Sequence, residues 1–265
     1  MKLFNNFSLG FKSFGKGFNF IFKHKMGWTL LVPVALTILL FWLGLEFTSY
    51  LIDEAKNYLL DILSLKNNSF FLSEYLKMFL SGFLWVVIKV IFFVIFTYVN
   101  GYLVLAILSP LLAIISEKTE KIVLGKTYPF SVHQLTHDII RGILIIFRNL
   151  FYELFLNLLL IIATLIPFIG QIVAIISPLI LFGISSYFYG FSFIDYNSER
   201  HKLSVKESVA YVRKNGGLAL SNGSIFSLFL IIPVLGSLIA GIVAIVSTVS
   251  ATLAVIEINQ RNEKN

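Results

Sequence analysis

Charged side chains are scarce in this chain, and the few that interrupt its apolar runs are where chemistry would have to occur. Lys89 stands inside Leu84-Trp85-Val86-Val87-Ile88-Lys89-Val90-Ile91-Phe92-Phe93. A charge in such a run is costly unless it meets a partner or a wet cavity. Glu46 is the natural partner: if the chain turns at Asn67-Asn68, Glu46 and Lys89 each lie 21 residues from the turn and meet at one level. An ion pair between two helices, a lysine reaching the membrane surface and a place on a permeation path all fit this pattern. Arg141 and Arg148, seven residues apart, share a helix face, and Glu153 follows them. They either line a cytoplasmic vestibule or face lipid headgroups.

Other constellations carry less. His133 and His137 have the i, i+4 spacing of a metal pair, but no Glu-x-x context or thiolate accompanies them, so no metal site is expected. Gly15-Lys16-Gly17 lacks the long glycine loop and the following Ser/Thr of a phosphate-binding motif, so neither nucleotide chemistry nor a bound cofactor is expected. There is no cysteine, which removes disulfides and cysteine nucleophiles. No nucleophile, base and acid fall into a plausible set, and the chain does not read as an enzyme.

Composition explains why polar groups matter so much. The 265 residues are 57% hydrophobic and only 13% charged, against about a quarter charged in a soluble domain. The expected class is an all-α integral membrane protein, with the lipid bilayer as its first partner. The net charge of +7 does not point to nucleic acid, because the basic residues flank apolar segments rather than cluster. Anchoring to anionic lipid is the better reading.

The elements that must position these residues can be read in order. Phe4, Phe7, Phe11, Phe14, Phe18 and Phe22 form a helical aromatic stripe opposite Lys12, Lys16 and Lys23, which predicts an amphipathic helix over 1–25 that lies in the membrane interface or packs on the protein's own helices. Its glycines weaken the helix. Two long spanning helices follow, from 27 to about 50 and from about 78 to 102. Pro110 is expected to bend or end the second one's extension ahead of a polar stretch at 116–127, and Tyr128-Pro129 reads as a linker. Basic residues precede the first span and follow the second, while the connection is acidic, which places the N-terminus in the cytoplasm.

Two uncharged stretches, 154–194 and 216–256, are each broken by Ile-Pro-x-x-Gly, at Pro167 and Gly170 and again at Pro233 and Gly236. The arm before each proline reaches about 20–23 Å, short of a hydrocarbon core of about 30 Å. With uncharged tips, these segments read as Pro-broken helical hairpins that dip into the membrane and return. Between them, Ser204-Val205-Lys206-Glu207 fits a capping box and Asn215-Gly216-Gly217 a helix stop, predicting a short cytoplasmic helix. The organisation is one membrane domain over 1–265: an amphipathic helix at 1–25, a spanning pair at 27–127, hairpins at 132–196 and 217–260, and the short helix at 204–215.

Leu165-Ile166-Pro167-Phe168-Ile169-Gly170-Gln171, the run to Phe191-Ser192-Phe193-Ile194-Asp195-Tyr196, the basic segment and Ile231-Ile232-Pro233 together resemble the family joining CysZ-type sulfate permeases with etoposide-induced protein 2.4. Ser109-Pro110-Leu111-Leu112 and Pro33 in the first span fit too. The resemblance covers most of the chain. It implies an all-helical fold with spanning helices and membrane-dipping hairpins, a homo-oligomer, and a bacterial-type inner membrane. The permease branch implies passage of a small anion, with sulfate the candidate; the other branch implies a non-transporting scaffold or membrane-organising protein. In the permease branch a Gly-apolar-Arg run ahead of the first span supplies the anion site. The aligned stretch here, Lys25-Met26-Gly27-Trp28-Thr29, has no arginine. What remains is a candidate site of Lys23, Lys25 and the Gly27 amide at a helix start, with lysine a point charge lacking the guanidinium fork.

Overall fold

The structure, a computed structural model, describes residues 2–36, 38, 39, 42, 50, 54, 58, 71–125, 132–232 and 235–263. Among them the regular structure is helical: α1 (Lys2–Lys23), a 3-10 turn (Gly27–Leu30), α2 (Phe71–Leu124), α3 (Val132–Thr164), α4 (Ile169–Arg200), α5 (Val205–Lys214), α6 (Gly216–Leu230) and α7 (Leu235–Glu263). The chain forms two compact units, Met1–Val34 with Gly101–Asn265, and Ala35–Asn100. The smaller holds the first part of α2, where the rings of Phe79 and Phe83 stack at 6.4 Å. The account below concerns the larger.

Among the described residues four stretches are long and apolar enough to cross a membrane: Gly101–Leu124, Ile139–Thr164, Ile169–Ser198 and Ile239–Glu263. Two of their helices carry an internal proline, Pro110 in α2 and Pro178 in α4. A proline leaves the carbonyl four residues earlier without its donor. In both helices the preceding serine fills in. Ser109 Oγ donates to Ala106 O at 2.8 Å, and Ser177 Oγ to Ala174 O at 2.9 Å. The two segments, Ala106-Ile107-Leu108-Ser109-Pro110 and Ala174-Ile175-Ile176-Ser177-Pro178, are near copies. Of the two expectations at Pro110, a bend or an end, the end is corrected, since the helix continues to Leu124 and absorbs most of the polar stretch at 116–127.

The Ile-Pro-x-x-Gly breaks share one local geometry. Gly170 N–H donates to Ile166 O at 2.7 Å, and Gly236 N–H to Ile232 O at 2.8 Å. A Cβ on Gly170 would stand 2.0 Å from Thr164 O, and one on Gly236 2.1 Å from Phe229 O, so both turns need glycine to bring the backbone back on itself. Phe168 takes φ 64°. Pro233 and Val234 lie outside the described residues. The second arm, α6, has 15 residues and is short, as expected. The first is longer than a count from Leu154 suggests, because α3 runs apolar from Ile139 to Thr164, 26 residues. Its polar groups do not end the helix because they bond sideways to α2 and α4.

Small residues let these helices approach. At the α4–α6 crossing a Cβ on Gly190 would lie 1.8 Å from Ala219 O, and one on Gly223 1.7 Å from Ser186 O, so backbones touch without intervening side chains. α1 uses the same device. Gly10 faces Ser221 on α6 and Gly17 faces Ser250 on α7, with Ser13 buried between them. Two of the three glycines that weaken α1 as an isolated helix, Gly10 and Gly17, therefore form its packing face, while Gly15 has nothing within 4 Å. Phe4, Phe11, Phe18 and Phe22 stay exposed on the other side. An aromatic core of Tyr102, Tyr189, Phe193 and Phe226 fills the centre, with successive ring centroids 4.6 to 5.2 Å apart.

The capping box of α5 forms as read: Ser204 N–H donates to Glu207 Oε2 at 2.7 Å and Glu207 N–H to Ser204 Oγ at 3.3 Å. Hydrogen bonds from the Ser204 hydroxyl and backbone hold the Glu207 carboxyl below its ordinary range. The stabilisation is present above the unfolded carboxylate's pKa and is lost as pH falls through the lower folded value.

Gly190→Ala and Gly223→Ala should each lower the melting midpoint in detergent, by a destabilisation of about 1–3 kcal/mol from overpacking. Gly183→Ala on the same α4, where nothing lies within 4 Å of the added carbon, should leave it unchanged. Equal effects at all three positions would contradict the close crossing.

Candidate functional site

Every fourth residue along α3 builds a polar stripe: Arg141, Asn149, Glu153 and Asn157, with Ile145 completing the series. This spacing keeps them near one helix face, and α4 runs antiparallel against it. Arg141 Nη2 pairs with Asp195 Oδ1 at 3.3 Å. Asn149 Nδ2 donates to Ser192 Oγ at 3.0 Å and to Phe188 O at 3.3 Å. Glu153 accepts hydrogen bonds from Ser185 of α4 and Tyr102 of α2. The α4 partners fall from Asp195 to Ser185 as the α3 residues rise from Arg141 to Glu153, so these contacts also set the register of the pair.

The network thickens toward the ends of α2 and α4. Arg141 donates to Leu203 O as well, and Ser208 of α5 donates to Asp195, which ties three helices at one point. Nearby, fully buried Glu120 on α2 accepts from Arg200 Nε at 2.7 Å and faces His201 Nε2 at 3.2 Å. Arg200 Nη2 also reaches Ser116 Oγ at 2.8 Å, and Ser116 bonds Thr252 of α7 at 2.8 Å. On the other side of the unit, Glu257 of α7 accepts from Lys16 of α1 at 3.2 Å and from Arg261 at 2.5 Å. Tyr211 donates to Asn259 Oδ1 at 3.2 Å, and burial pushes its phenol up to about 12.

The two arginines read as one vestibule thus have different surroundings. Arg141 is consumed by its ion pair. Arg148 donates to Asn149 Oδ1 at 2.9 Å and lies over the rings of Tyr152 at 4.9 Å and Phe191 at 5.4 Å. No carboxylate among the described residues stands at ion-pairing distance from it.

Lys23 is the last residue of α1, and both it and Lys25 are exposed. Lys25 has φ 55°. This reverses the chain so that Met26 N–H donates to Ile21 O at 2.8 Å. Gly27 then opens the 3-10 turn, which has no side-chain cap; Thr29 Oγ1 instead closes on Met26 O at 2.7 Å. No described contact brings Lys23 or Lys25 to Arg141 or Arg148. Glu46 and the side chain of Lys89 lie outside the described residues, as do the side chains of His133 and His137.

Sequence reasoning did not single out Glu120, Asp195 or Arg200 as a set. The signal available was charge at the ends of long apolar helices, which gives no partner when the groups sit 80 positions apart, as Glu120 and Arg200 do.

A chain whose described residues are helical, with four helices of membrane length among them and buried ion pairs between several, is a multi-pass membrane protein in its class. The family model described as sulfate transporter CysZ/etoposide-induced protein 2.4 matches residues 13–240, and the chain belongs to that family. A protein named sulfate transporter CysZ from Pseudomonas aeruginosa strain LESB58 is 29% identical over 232 residues, covering 83% of this chain and 85% of the relative. One of the same name from Pseudomonas fluorescens strain Pf0-1 is 34% identical over 173 residues, covering 63% and 66%.

Breaking the Glu120–Arg200 pair should be worse than removing it. Glu120→Gln strands a buried guanidinium and should cost about 3–5 kcal/mol, whereas Glu120→Gln with Arg200→Gln should recover part of that loss in thermal melts. Additive losses would contradict direct contact.

Proposed function

We propose that this chain is an inner-membrane permease for a small anion, with sulfate as the substrate, working as a homo-oligomer without nucleotide hydrolysis. The observation that carries the reading is the polar stripe of α3 inside a helix of membrane length. Ionisable groups at membrane depth mark ion and substrate pathways, and here they sit in a chain whose relatives are named as sulfate transporters. The first contact for the anion is at Lys23, Lys25 and the Gly27 amide, where exposed positive charge meets the uncapped start of a 3-10 turn. Lysine holds sulfate as a point charge, so binding is weak and falls with ionic strength. The N-terminus faces the cytoplasm, and the helical pairs turn back at Pro167 and Pro233 inside the membrane. Supporting this, Leu165, Phe168, Ile169, Ile172 and Ile175 are exposed around the first tip, where Gln171 is the only exposed polar side chain and no charged one stands.

Labelled sulfate should enter proteoliposomes carrying the protein faster than empty vesicles, and Lys23→Gln with Lys25→Gln should reduce the flux several-fold while the melting profile stays the same. Folded protein that neither binds nor passes sulfate at low salt would overturn the permease reading in favour of a scaffold.

The cysteine-free chain allows the turns to be placed. Cysteines at Phe168 and Val234 should resist an impermeant thiol reagent added from outside, and one at Asn67 should react. Strong labelling at both tips would convert the pairs into full spans.

A further inference from the structure

α1 carries three straight rows of residues, about a third of a turn apart around the helix. Phe4, Phe11, Gly15, Phe18 and Phe22 form one, and Asn5, Lys12, Lys16, Asn19 and Lys23 the next; both are exposed. The third row, Asn6, Gly10, Ser13, Gly17 and Ile21, faces the bundle. Asn6 Nδ2 donates to Asn215 Oδ1 at 3.0 Å, a Cβ on Gly10 would stand 1.8 Å from Ser221 Oγ and one on Gly17 2.2 Å from Ser250 Oγ, and Ser13 and Ile21 are buried. These contacts fix the level at which α1 lies. Asn215 divides Arg213 and Lys214 of α5 from the uncharged α6, and Leu3 O comes against Gly217 just beyond it. Along α7 no charge precedes Glu257, which Lys16 meets at 3.2 Å, while Gly17 packs on Ser250, about two turns earlier. α1 therefore runs where both helices change from charged to apolar. The pair of Lys16 with Glu257 also fixes its rotation. The lysine row points to the charged ends, and the ring row, on the other side of the packing row, points along the apolar parts.

We infer that α1 is a binding surface for anionic phospholipid, lying in the membrane boundary with its rings in the acyl region and Lys12 and Lys23 at headgroup phosphates. A helix with this division buries its apolar face about 5–10 Å into the boundary and keeps its lysines at the polar layer. Lys16 is spent on Glu257. Lys12 and Lys23, about 16 Å apart along the axis, have no carboxylate partner among the described residues. An acidic protein would answer the lysines but leave unmatched a ring row that points along the apolar parts of α6 and α7. The inference holds whether or not the chain passes sulfate.

The test uses the full chain, free of native cysteine, in nanodiscs of phosphatidylcholine and phosphatidylglycerol, with a nitroxide on single introduced cysteines. Labels at Phe11→Cys and Phe18→Cys should relax with lipid-soluble oxygen. Labels at Lys12→Cys and Asn19→Cys, each the very next residue, should relax with a water-soluble nickel chelate. Native mass spectrometry then counts the phosphatidylglycerol that stays bound. Its retention should be about fivefold weaker in Lys12→Gln, the loss of one lysine's attraction at the surface, and restored in Lys12→Arg. Lys12 is exposed and off the packing row, so both variants keep the fold. Ring-row labels reached by the nickel chelate, or shielded from both probes as a protein partner or a second copy would shield them, would overturn the inference. Equal retention of phosphatidylglycerol by the parent and Lys12→Gln would overturn it as well.

Discussion

A polar group placed among apolar helices must find its hydrogen-bonding partner on a neighbouring helix, because neither hydrocarbon nor a packed apolar core supplies one. That requirement governs the larger unit of this protein. Three polar residues of the α3 stripe are answered at different heights: Arg141 by Asp195, Asn149 by Ser192, Glu153 by Ser185 and Tyr102. A shift of α4 by one turn would leave several of these groups unpaired at once. The helical pair is thus held in register by polar contacts, while its outer surface is left to large apolar side chains such as Phe147, Leu158 and Ile175.

The same requirement acts on the backbone. Two prolines interrupt the donor series of α2 and α4, and two serines repair it, so that long helices pass through residues that would otherwise end them. Close approach does the rest. Where Gly190 meets Ala219 and Gly223 meets Ser186, there is no room for a methyl group, and dispersion contacts between backbones replace the hydrophobic driving force that lipid does not provide. α1 joins through Gly10, Ser13 and Gly17, which leaves Phe4, Phe11, Phe18 and Phe22 exposed.

Much of this was legible in the residues. Ile-Pro-x-x-Gly marked both turns because proline and glycine act locally, and Ser204 with Glu207 announced the α5 cap for the same reason. The family was readable from the order of such features. What was hidden depends on distance along the chain. Glu120 and Arg200 carry no mark of each other, and Arg141 and Arg148 look equivalent until Asp195 arrives beside one of them. Pro110 does not end its helix, because a single neighbouring hydroxyl takes up the freed carbonyl. Helix propensity marks the glycines of α1 only as a cost and says nothing of what Gly10 and Gly17 pack against.

For function, the consequence is a division among the positive charges. Those paired with Asp195, Glu120 and Glu257 hold the unit together, and Lys23, Lys25 and Arg148 have no carboxylate partner among the described residues. The division stands only if α3 and α4 have the register described. Cysteines introduced at Asn149 and Ser192 of the cysteine-free chain, in native membranes, measure it directly. A short bifunctional thiol reagent should join them in high yield, while Asn149→Cys paired with Gly183→Cys, more than two turns away on α4, should stay unjoined. Equal yields for both pairs, or efficient joining of the distant one alone, would contradict the polar register on which the account rests.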